Sequence, residues 1–260
     1  DLRVPMRDGV ELAVDAYHGA ADQPRPALIA LSAYGKELQA LALTTPPQRR
    51  PSPMWDGCIE AGDIARVVQE GYVHVIGDVR GTGDSGGEMI GNYNFGGVSQ
   101  GQDAYDLIEW VAAQPWCDGN VGMIGISAYG AAQIQAAMQQ PPHLKAIFAH
   151  DPGPAYREFR DRNPGGVLHT FPLTIESGSV AHGKSGPPGE LPPQEEAAWQ
   201  AAMANPDYRM YHPLHNILTM KGQKAKTFFH TLLHPYDSAE LVAKAEAGFK
   251  RVRIPTYLGT

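Results

Sequence analysis

The chain has 260 residues, of which 43% are hydrophobic and 19% charged, and this composition is typical of a globular protein that buries a large core. Its formal net charge is −7, so nothing in the sequence suggests a nucleic-acid partner, and no apolar run is long enough to cross a bilayer. Cys58 and Cys117 match neither a metal-binding nor a disulfide pattern, and we interpret both as free thiols.

The first 150 residues alternate between predicted strands and predicted helices. Apolar and polar residues alternate over 10–19, which indicates a half-buried antiparallel strand, and a short apolar run predicts a buried strand over 26–35. The pattern then predicts an irregular segment at 37–57, a helix at 59–71, a strand at 72–79, a helix at 99–114, a strand at 119–127, a helix at 128–140 and a strand at 144–150. This alternation predicts βαβ units and a mainly parallel sheet.

The pattern changes at residue 151. Residues 152–193 are rich in proline and glycine, and two helices are predicted further on, over 194–205 and 237–250. A new apolar run over 252–260 is typical of another strand of the same sheet. We therefore assign 1–150 to the first part of an α/β core, 151–250 to an inserted helical cap and 251–260 to a returning core strand.

A first candidate nucleophile is Ser85, which lies in the sequence Gly-Asp-Ser-Gly-Gly at 83–87. This pentapeptide surrounds the nucleophile of trypsin-like proteases, but those enzymes have an all-β fold and place a histidine and an aspartate upstream. Here helices alternate with strands, and only His18 and His74 precede the serine. No P-loop lysine follows the glycines either. We interpret the segment as a structural turn in which glycine supplies positive φ angles.

A second candidate nucleophile is Ser127, at the junction between a predicted strand and a predicted helix. A serine at such a junction occupies the nucleophile elbow of α/β-hydrolases, and the backbone N–H of the next residue, Ala128, can bind an oxyanion at the helix N-terminus. Gly125 and Gly130 provide small residues around the turn, although Tyr129 stands where the general motif has glycine. The alternative is a serine that merely caps an ordinary helix.

Longer segments carry a family resemblance. In chain order they are "DGVELAVDAY", "LSAYGKE", "GYVHVIGDVRGTGDSGGE", "GQDAYDLIEWVAAQPWCDGNVGMIGISAYG" and "LKAIFAHDP". Together they resemble the CocE/NonD hydrolases, which include cocaine esterase, α-amino-acid ester hydrolases and X-Pro dipeptidyl peptidases, over roughly residues 3–155. That family has the elbow Gly-x-Ser-Tyr-x-Gly, so Gly130 fits the family pattern, whereas Ala128 replaces the usual tyrosine.

The resemblance implies an α/β-hydrolase fold and roles for particular residues. It implies that Ser127 is the nucleophile, that the phenol of Tyr34 is a second oxyanion donor beside Ala128 N–H, and that no metal or organic cofactor is needed. It also places Ser85 in the structural "DxRGxGxSxG" segment of the family. In that segment we expect Asp78 and Arg80 to form a salt bridge that fixes the loop.

The resemblance also implies that the catalytic acid and histidine follow the serine, in the order found in α/β-hydrolases. The family's acid comes just after the strand that follows the cap, here 252–258, and its histidine lies further on, with a C-terminal jelly-roll domain in most members. We therefore expect that the rest of the polypeptide, or a second chain, completes the triad. Weaker candidates within the sequence are Asp151 as acid and His150, His169, His230 or His234 as base.

The predicted function is serine hydrolysis of a small-molecule ester or amide through an acyl-enzyme. One alternative is an aminopeptidase of the X-Pro dipeptidyl-peptidase type, which an acidic anchor for a substrate ammonium would favour, and another is an inactive hydrolase-fold binding module. The first ten residues do not form a signal peptide, which favours a cytoplasmic location. Because the chain begins with Asp1, secretion after removal of a leader stays open, as does homo-oligomerisation.

Overall fold

The computed structural model describes residues 1–20, 23–40, 60–88, 98–152, 193–210, 233 and 246–259. Within these ranges one seven-stranded sheet has the strand order β1-β2-β4-β3-β5-β6-β7. The strands are β1 (Leu2–Pro5), β2 (Glu11–Tyr17), β3 (Arg25–Ser32), β4 (Val73–Asp78), β5 (Cys117–Ile126), β6 (Leu144–His150) and β7 (Thr256–Gly259). Strands β3 to β7 run parallel to one another, whereas β1 and β2 are antiparallel to their neighbours.

Helices cover both faces of the sheet. They are α1 (Lys36–Gln39), α2 (Ile64–Gln69), α3 (Val98–Ala112), α4 (Ala128–Gln139), α5 (Pro193–Ala204) and α6 (Pro206–Met210). Because side chains alternate across a strand, Val73 and Val75 of β4 pack in the large core that α3 and α4 close, while Ile76 packs in a smaller cluster beside Ala61 on the way to α2.

The element types predicted for the first 150 residues are confirmed wherever the structure describes them, with ends that differ by a few residues. The largest differences are α2, which begins only after its capping residue Asp63, and the two elements that the sequence did not reveal, β1 and α1. Both are four residues long, and a hydrophobic period cannot be recognised over so short a run.

Only parts of the predicted cap lie within the described residues. The predicted helix at 194–205 is confirmed as α5, one residue earlier along the chain. Of the predicted helix at 237–250, the structure describes 246–250, which are helical up to residue 249. Positions 41–57 and 153–192 lie outside the described residues. The returning strand is confirmed as β7, which pairs in parallel with β6 and is shorter than the predicted 252–260.

Candidate active site

The backbone of Ser127 is strained in the way that a nucleophile elbow requires. Its φ of 58° and ψ of −117° lie in a region that costs a non-glycine residue on the order of 1–3 kcal/mol. Hydrogen bonds hold the turn in place: Ser127 N donates to His150 O at 3.0 Å, and Ala131 N donates to Ser127 O at 2.9 Å. The serine occupies the N-cap position of α4, but its side chain makes no capping hydrogen bond. The alternative interpretation, a serine whose hydroxyl merely caps a helix, is therefore not supported.

The two glycines around the elbow are required by close packing. Gly125 has a φ of 137°, and a Cβ atom added there would lie 2.4 Å from Cβ of Tyr129. A Cβ atom on Gly130 would lie 2.9 Å from Cα of Pro152. Tyr129 itself is fully buried in the smaller cluster beside β3 and β4, which explains how the turn holds a large residue where the general motif has glycine.

The structure brings Tyr34 and Ala128 to the same end of the sheet as Ser127. Strands β3 and β5 are parallel neighbours, so Tyr34, two residues after β3, and Ser127, directly after β5, both follow carboxyl ends at one edge. The ring of Tyr34 meets the ring of Tyr129 edge-on, with 6.2 Å between centroids. Ala128 is the first residue of α4, where a backbone N–H has no acceptor within its own helix.

Ser85 is part of a structural turn, as the sequence predicts. Its side chain is fully buried, donates a hydrogen bond to Asp78 O at 2.6 Å and accepts one from Ala13 N at 2.8 Å. Gly86 N adds a hydrogen bond to Glu11 O at 2.7 Å. These contacts attach the turn that follows β4 to the middle of β2, and they occupy the hydroxyl that a nucleophile would have to keep available.

The predicted salt bridge between Asp78 and Arg80 is wrong. Arg80 instead binds Asp103 of α3 through two nitrogens, at 2.6 and 2.8 Å, and Asp8 through the third, at 2.6 Å. Asp78 accepts hydrogen bonds from the backbone N–H of Lys36 at 2.7 Å and of Asp84 at 3.3 Å. Burial raises the pKa of Asp78, and these two hydrogen bonds act against that rise. Asp78 therefore binds backbone N–H groups of two neighbouring segments, whereas Arg80 attaches the turn after β4 to α3.

Lys36, which sequence reasoning missed, fixes the segment that follows Tyr34. Its side chain is 3% exposed, and Nζ binds a carboxylate oxygen of Asp15 in β2 at 3.1 Å. Burial acts to lower the pKa of Lys36. The hydrogen bond and charge of Asp15, together with the charges of Asp78 and Glu37, outweigh burial and raise this pKa. Lys36 and Asp15 lie far apart in the sequence, so only the folded chain reveals the pair.

Glu60, also missed, lies against the elbow. Its backbone carbonyl accepts a hydrogen bond from Ile126 N at 3.0 Å, directly before Ser127. Burial, together with the negative charge of Asp151 after β6, raises the pKa of the Glu60 carboxyl to about 7. Asp151 has a φ of 41°, and its N–H donates to Gly259 O, which joins the end of β6 to β7. The sequence predicts Glu60 within a helix over 59–71, but α2 begins only at Ile64, so the position of Glu60 against the elbow could not be read from the helical pattern.

The described histidines do not supply a base to Ser127. His18 lies beyond the end of β2, and His143 binds a glutamate of α3 through Nδ1 at 2.7 Å. His74 is buried within β4, where burial lowers its pKa to about 4. His150 contributes its backbone carbonyl, and no imidazole among the described residues is hydrogen-bonded to Ser127 Oγ. The other candidate bases, His169, His230 and His234, lie outside the described residues.

Among the residues that the structure describes, no group of three or more His, Cys, Asp and Glu side chains is placed to hold a metal ion, and no helix is both long and apolar enough to cross a membrane. Cys117 is a buried free thiol, as predicted, while Cys58 lies outside the described residues.

The strand order, together with a strained serine between a parallel strand and the next helix, defines an α/β-hydrolase fold. The chain belongs to the X-Pro dipeptidyl-peptidase (S15) family, whose model matches residues 8–259. This agrees with the resemblance to CocE/NonD hydrolases that the sequence segments carry.

Individual relatives fit this assignment. The chain is 40% identical over 147 residues to cocaine esterase from Rhodococcus sp., a match that covers 56% of the chain and 22% of that esterase. Its fold is similar to that of an α-amino acid ester hydrolase, with a TM-score of 0.63 at 22% identity, covering 98% of this chain and 41% of that one. An aminopeptidase from a marine sediment archaeon has a TM-score of 0.60 at 20% identity, covering 99% and 42%. The chain thus matches about a fifth of the length of the curated esterase.

Proposed function

We propose that this protein is a serine hydrolase that cleaves a small-molecule carboxylic ester or amide through an acyl-enzyme. The observation that carries the proposal is the strained backbone of Ser127 between β5 and α4. Such a turn presents the serine Oγ at the carboxyl edge of the sheet, next to a helix N-terminus. Cocaine esterase, the curated relative that is 40% identical over 147 residues, supports an ester as the first substrate class to test.

The proposed reaction assigns a role to three residues. Ser127 Oγ attacks the acyl carbon, and the carbonyl oxygen gains a negative charge that Ala128 N–H and the Tyr34 hydroxyl stabilise. The proton of Ser127 passes to a base and then to the leaving alcohol or amine, whose departure forms the acyl-enzyme. Water then attacks the acyl-enzyme and releases the acid, with the same oxyanion donors at work.

The base and its orienting acid belong to the proposal as well. A serine hydroxyl is a weak nucleophile without an adjacent base, and no described imidazole is hydrogen-bonded to Ser127 Oγ. We therefore infer that the histidine and the acid come from a part of the polypeptide other than the described residues, or from a second chain.

Active-site labelling tests the nucleophile. The full-length protein is treated with a fluorophosphonate probe, which bonds covalently to activated serines, and the modified residue is identified by mass spectrometry. We expect label on Ser127, none after Ser127→Ala, and a loss of p-nitrophenyl butyrate hydrolysis by several orders of magnitude in that variant. Ser85→Ala is the matched control, and its turnover should stay within about tenfold of the wild type. Equal losses from both variants would contradict the elbow assignment, and an unlabelled wild type would favour the binding module.

An aminopeptidase is the second candidate function. The observation in its favour is the partly buried carboxyl of Glu60, a residue whose backbone contacts the elbow and whose carboxyl lies close enough to Asp151 for their charges to interact. Paired carboxylates attract a substrate ammonium group. Initial rates on dipeptidyl p-nitroanilides with a free and with an acetylated amino group, compared with p-nitrophenyl esters, distinguish the two. A large preference for the free amine would favour the aminopeptidase.

A further inference from the structure

Gln39, the last residue of α1, is a buried glutamine whose side chain is tied to a distant segment. Its side chain is 1% exposed, and Oε1 accepts hydrogen bonds from two successive backbone N–H groups, those of Glu60 at 2.9 Å and of Ala61 at 3.1 Å. Among the described residues Nε2 is buried with no hydrogen-bond partner, so the two contacts to Oε1 are what offset the cost of burying the amide and define where the side chain lies. An amide oxygen has two lone pairs, which suits it to accept from two adjacent donors.

The segment that Gln39 holds is itself in contact with the elbow. Glu60 O accepts a hydrogen bond from Ile126 N at 3.0 Å, one residue before the candidate nucleophile. The same carbonyl oxygen lies 3.3 Å from the position that a Cβ atom on Gly125 would occupy. A continuous path of hydrogen bonds therefore runs from the side chain of Gln39 through residue 60 to the residue before Ser127.

The other end of α1 is fixed independently. Lys36 N donates to a carboxylate oxygen of Asp78 at 2.7 Å, and Lys36 Nζ binds Asp15 at 3.1 Å. The short helix that follows Tyr34 is thus attached to β4 and β2 at its first residue. At its last residue it is attached to residues 60–61, which contact the elbow. The two attachments therefore link the turn that carries Tyr34 to the segment that contacts the elbow.

We propose that Gln39 is a positioning residue that sets the spacing between the two oxyanion donors, Tyr34 and Ala128. This inference rests on the proposed function, because it gives those two residues the role of stabilising the oxyanion. Displacement of a catalytic group by about 1 Å can cost on the order of 100-fold in rate. Loss of the Gln39 acceptor should therefore affect transition-state stabilisation more than substrate binding.

The test is a double-mutant cycle in the full-length protein with p-nitrophenyl butyrate as substrate. Gln39→Met keeps the length of the side chain but removes the acceptor, and we expect kcat to fall about 10- to 100-fold with KM within about threefold. In the Tyr34→Phe background, the same substitution should lower kcat by less than about threefold. One of the two oxyanion donors is already absent there, so their spacing no longer matters. If Gln39→Met does not fold, Gln39→Asn, which shortens the reach by one methylene, gives the same comparison.

Gln114→Met is the matched control. Gln114 is a part-buried glutamine whose Nε2 donates to Trp110 O at 2.8 Å, and it lies in the turn between α3 and β5, at the end of β5 opposite to the elbow. This substitution should leave kcat within about twofold. The inference is overturned if Gln39→Met lowers the thermal midpoint without changing kcat, or if its effect on kcat is equally large in the Tyr34→Phe background. Failure of the proposed function gives a different result, because wild-type hydrolysis would then survive Ser127→Ala.

Discussion

Ser127 adopts a backbone conformation that non-glycine residues rarely adopt, and the surrounding packing maintains it. Its N–H donates a hydrogen bond to His150 O and its carbonyl accepts one from Ala131 N, while Gly125 and Gly130 allow the chain to approach closely on either side. Backbone strain of this kind persists only where neighbouring structure stabilises it, and it concentrates at functional sites. At the scale of single residues, the elbow is therefore the feature with the clearest functional meaning.

Tyr34 offers the most direct test of the proposed oxyanion site at this scale. Tyr34→Phe keeps the ring that meets Tyr129 and removes one hydrogen-bond donor. Because loss of one oxyanion donor costs on the order of 10²–10³ in kcat, we expect a decrease of that size with little change in KM. Steady-state kinetics on p-nitrophenyl butyrate measure it. A kcat equal to that of the wild type would remove Tyr34 from the mechanism.

Glu60 predicts a pH dependence of stability. Its pKa is raised to about 7 by burial and by Asp151, so between about pH 4.5 and pH 7 the folded state binds more protons than the unfolded state. The contribution of Glu60 to the free energy of unfolding should therefore decrease as pH rises through this window, by about 2 kcal/mol after allowance for partial exposure of the carboxyl. The lowered pKa of His74 acts in the opposite direction, but equally in the wild type and in Glu60→Gln, so subtracting one protein from the other removes it. Urea unfolding of both proteins at pH 5 and pH 8 measures this difference, and the same pH dependence in both would contradict the assignment.

At the scale of elements, Arg80 joins the turn after β4 to α3. Its side chain is 15% exposed and that of Asp103 only 5%, whereas Asp8, its other partner, is 48% exposed. The hydrogen bonds that Arg80 donates to the two carboxylates raise its pKa, and the pair with Asp103 contributes most. The pair with Asp103 is thus the structural contact, and the pair with Asp8 lies at the surface.

Substitution of Arg80 should therefore lower the free energy of unfolding much more than substitution of Asp8, its partner at the surface. Arg80→Met leaves the carboxylate of Asp103 buried without its partner, and we expect a loss of about 3 kcal/mol in the free energy of unfolding. Asp8→Asn, the control, should barely move the urea midpoint, since exposed ion pairs contribute little. Chemical denaturation of both variants measures the difference. Equal shifts of the two urea midpoints would show that the buried pair contributes no more to stability than the exposed pair.

At the scale of the whole molecule, the described sheet is covered unevenly. The strands near its centre are buried on both faces, but β6 exposes Phe148 at 37%, and Tyr257 of the edge strand β7 is 50% exposed. The rings of these two residues stack with 4.2 Å between centroids. In the described part of the chain β7 pairs only with β6, so its other edge offers free backbone hydrogen-bonding groups beside an apolar surface.

An open edge next to an apolar surface favours self-association. We expect the polypeptide 1–260 to associate as its concentration rises, and Leu258→Lys, which places a charge on this edge strand, to reduce the association. Leu258 is 61% exposed, and Met210→Lys is a matched control because Met210 is an apolar residue 81% exposed elsewhere. Sedimentation velocity measures the populations. Equal effects of both substitutions, or a monomer at all concentrations, would contradict this prediction.

The sequence by itself determined the longer strands and helices of the first 150 residues, all except β1 and α1, and the elbow at Ser127. Both depend on local patterns: side-chain periods of about 2.0 and 3.6 residues distinguish strand from helix, and small residues within a few positions of a serine indicate a tight turn. The structural role of Ser85 was also predictable, because the surrounding alternation excluded the all-β fold that the other interpretation requires.

Only the tertiary structure decided which charged and polar groups meet. Arg80 binds Asp103 rather than Asp78, Lys36 binds Asp15, and Gln39 binds the backbone at residue 60. Each contact joins segments separated by 20 or more positions, whose approach depends on the strand order β2-β4-β3-β5. A long polar side chain can reach several partners from one position, so its choice follows from how the sheet places neighbouring segments and not from the spacing of residues along the chain.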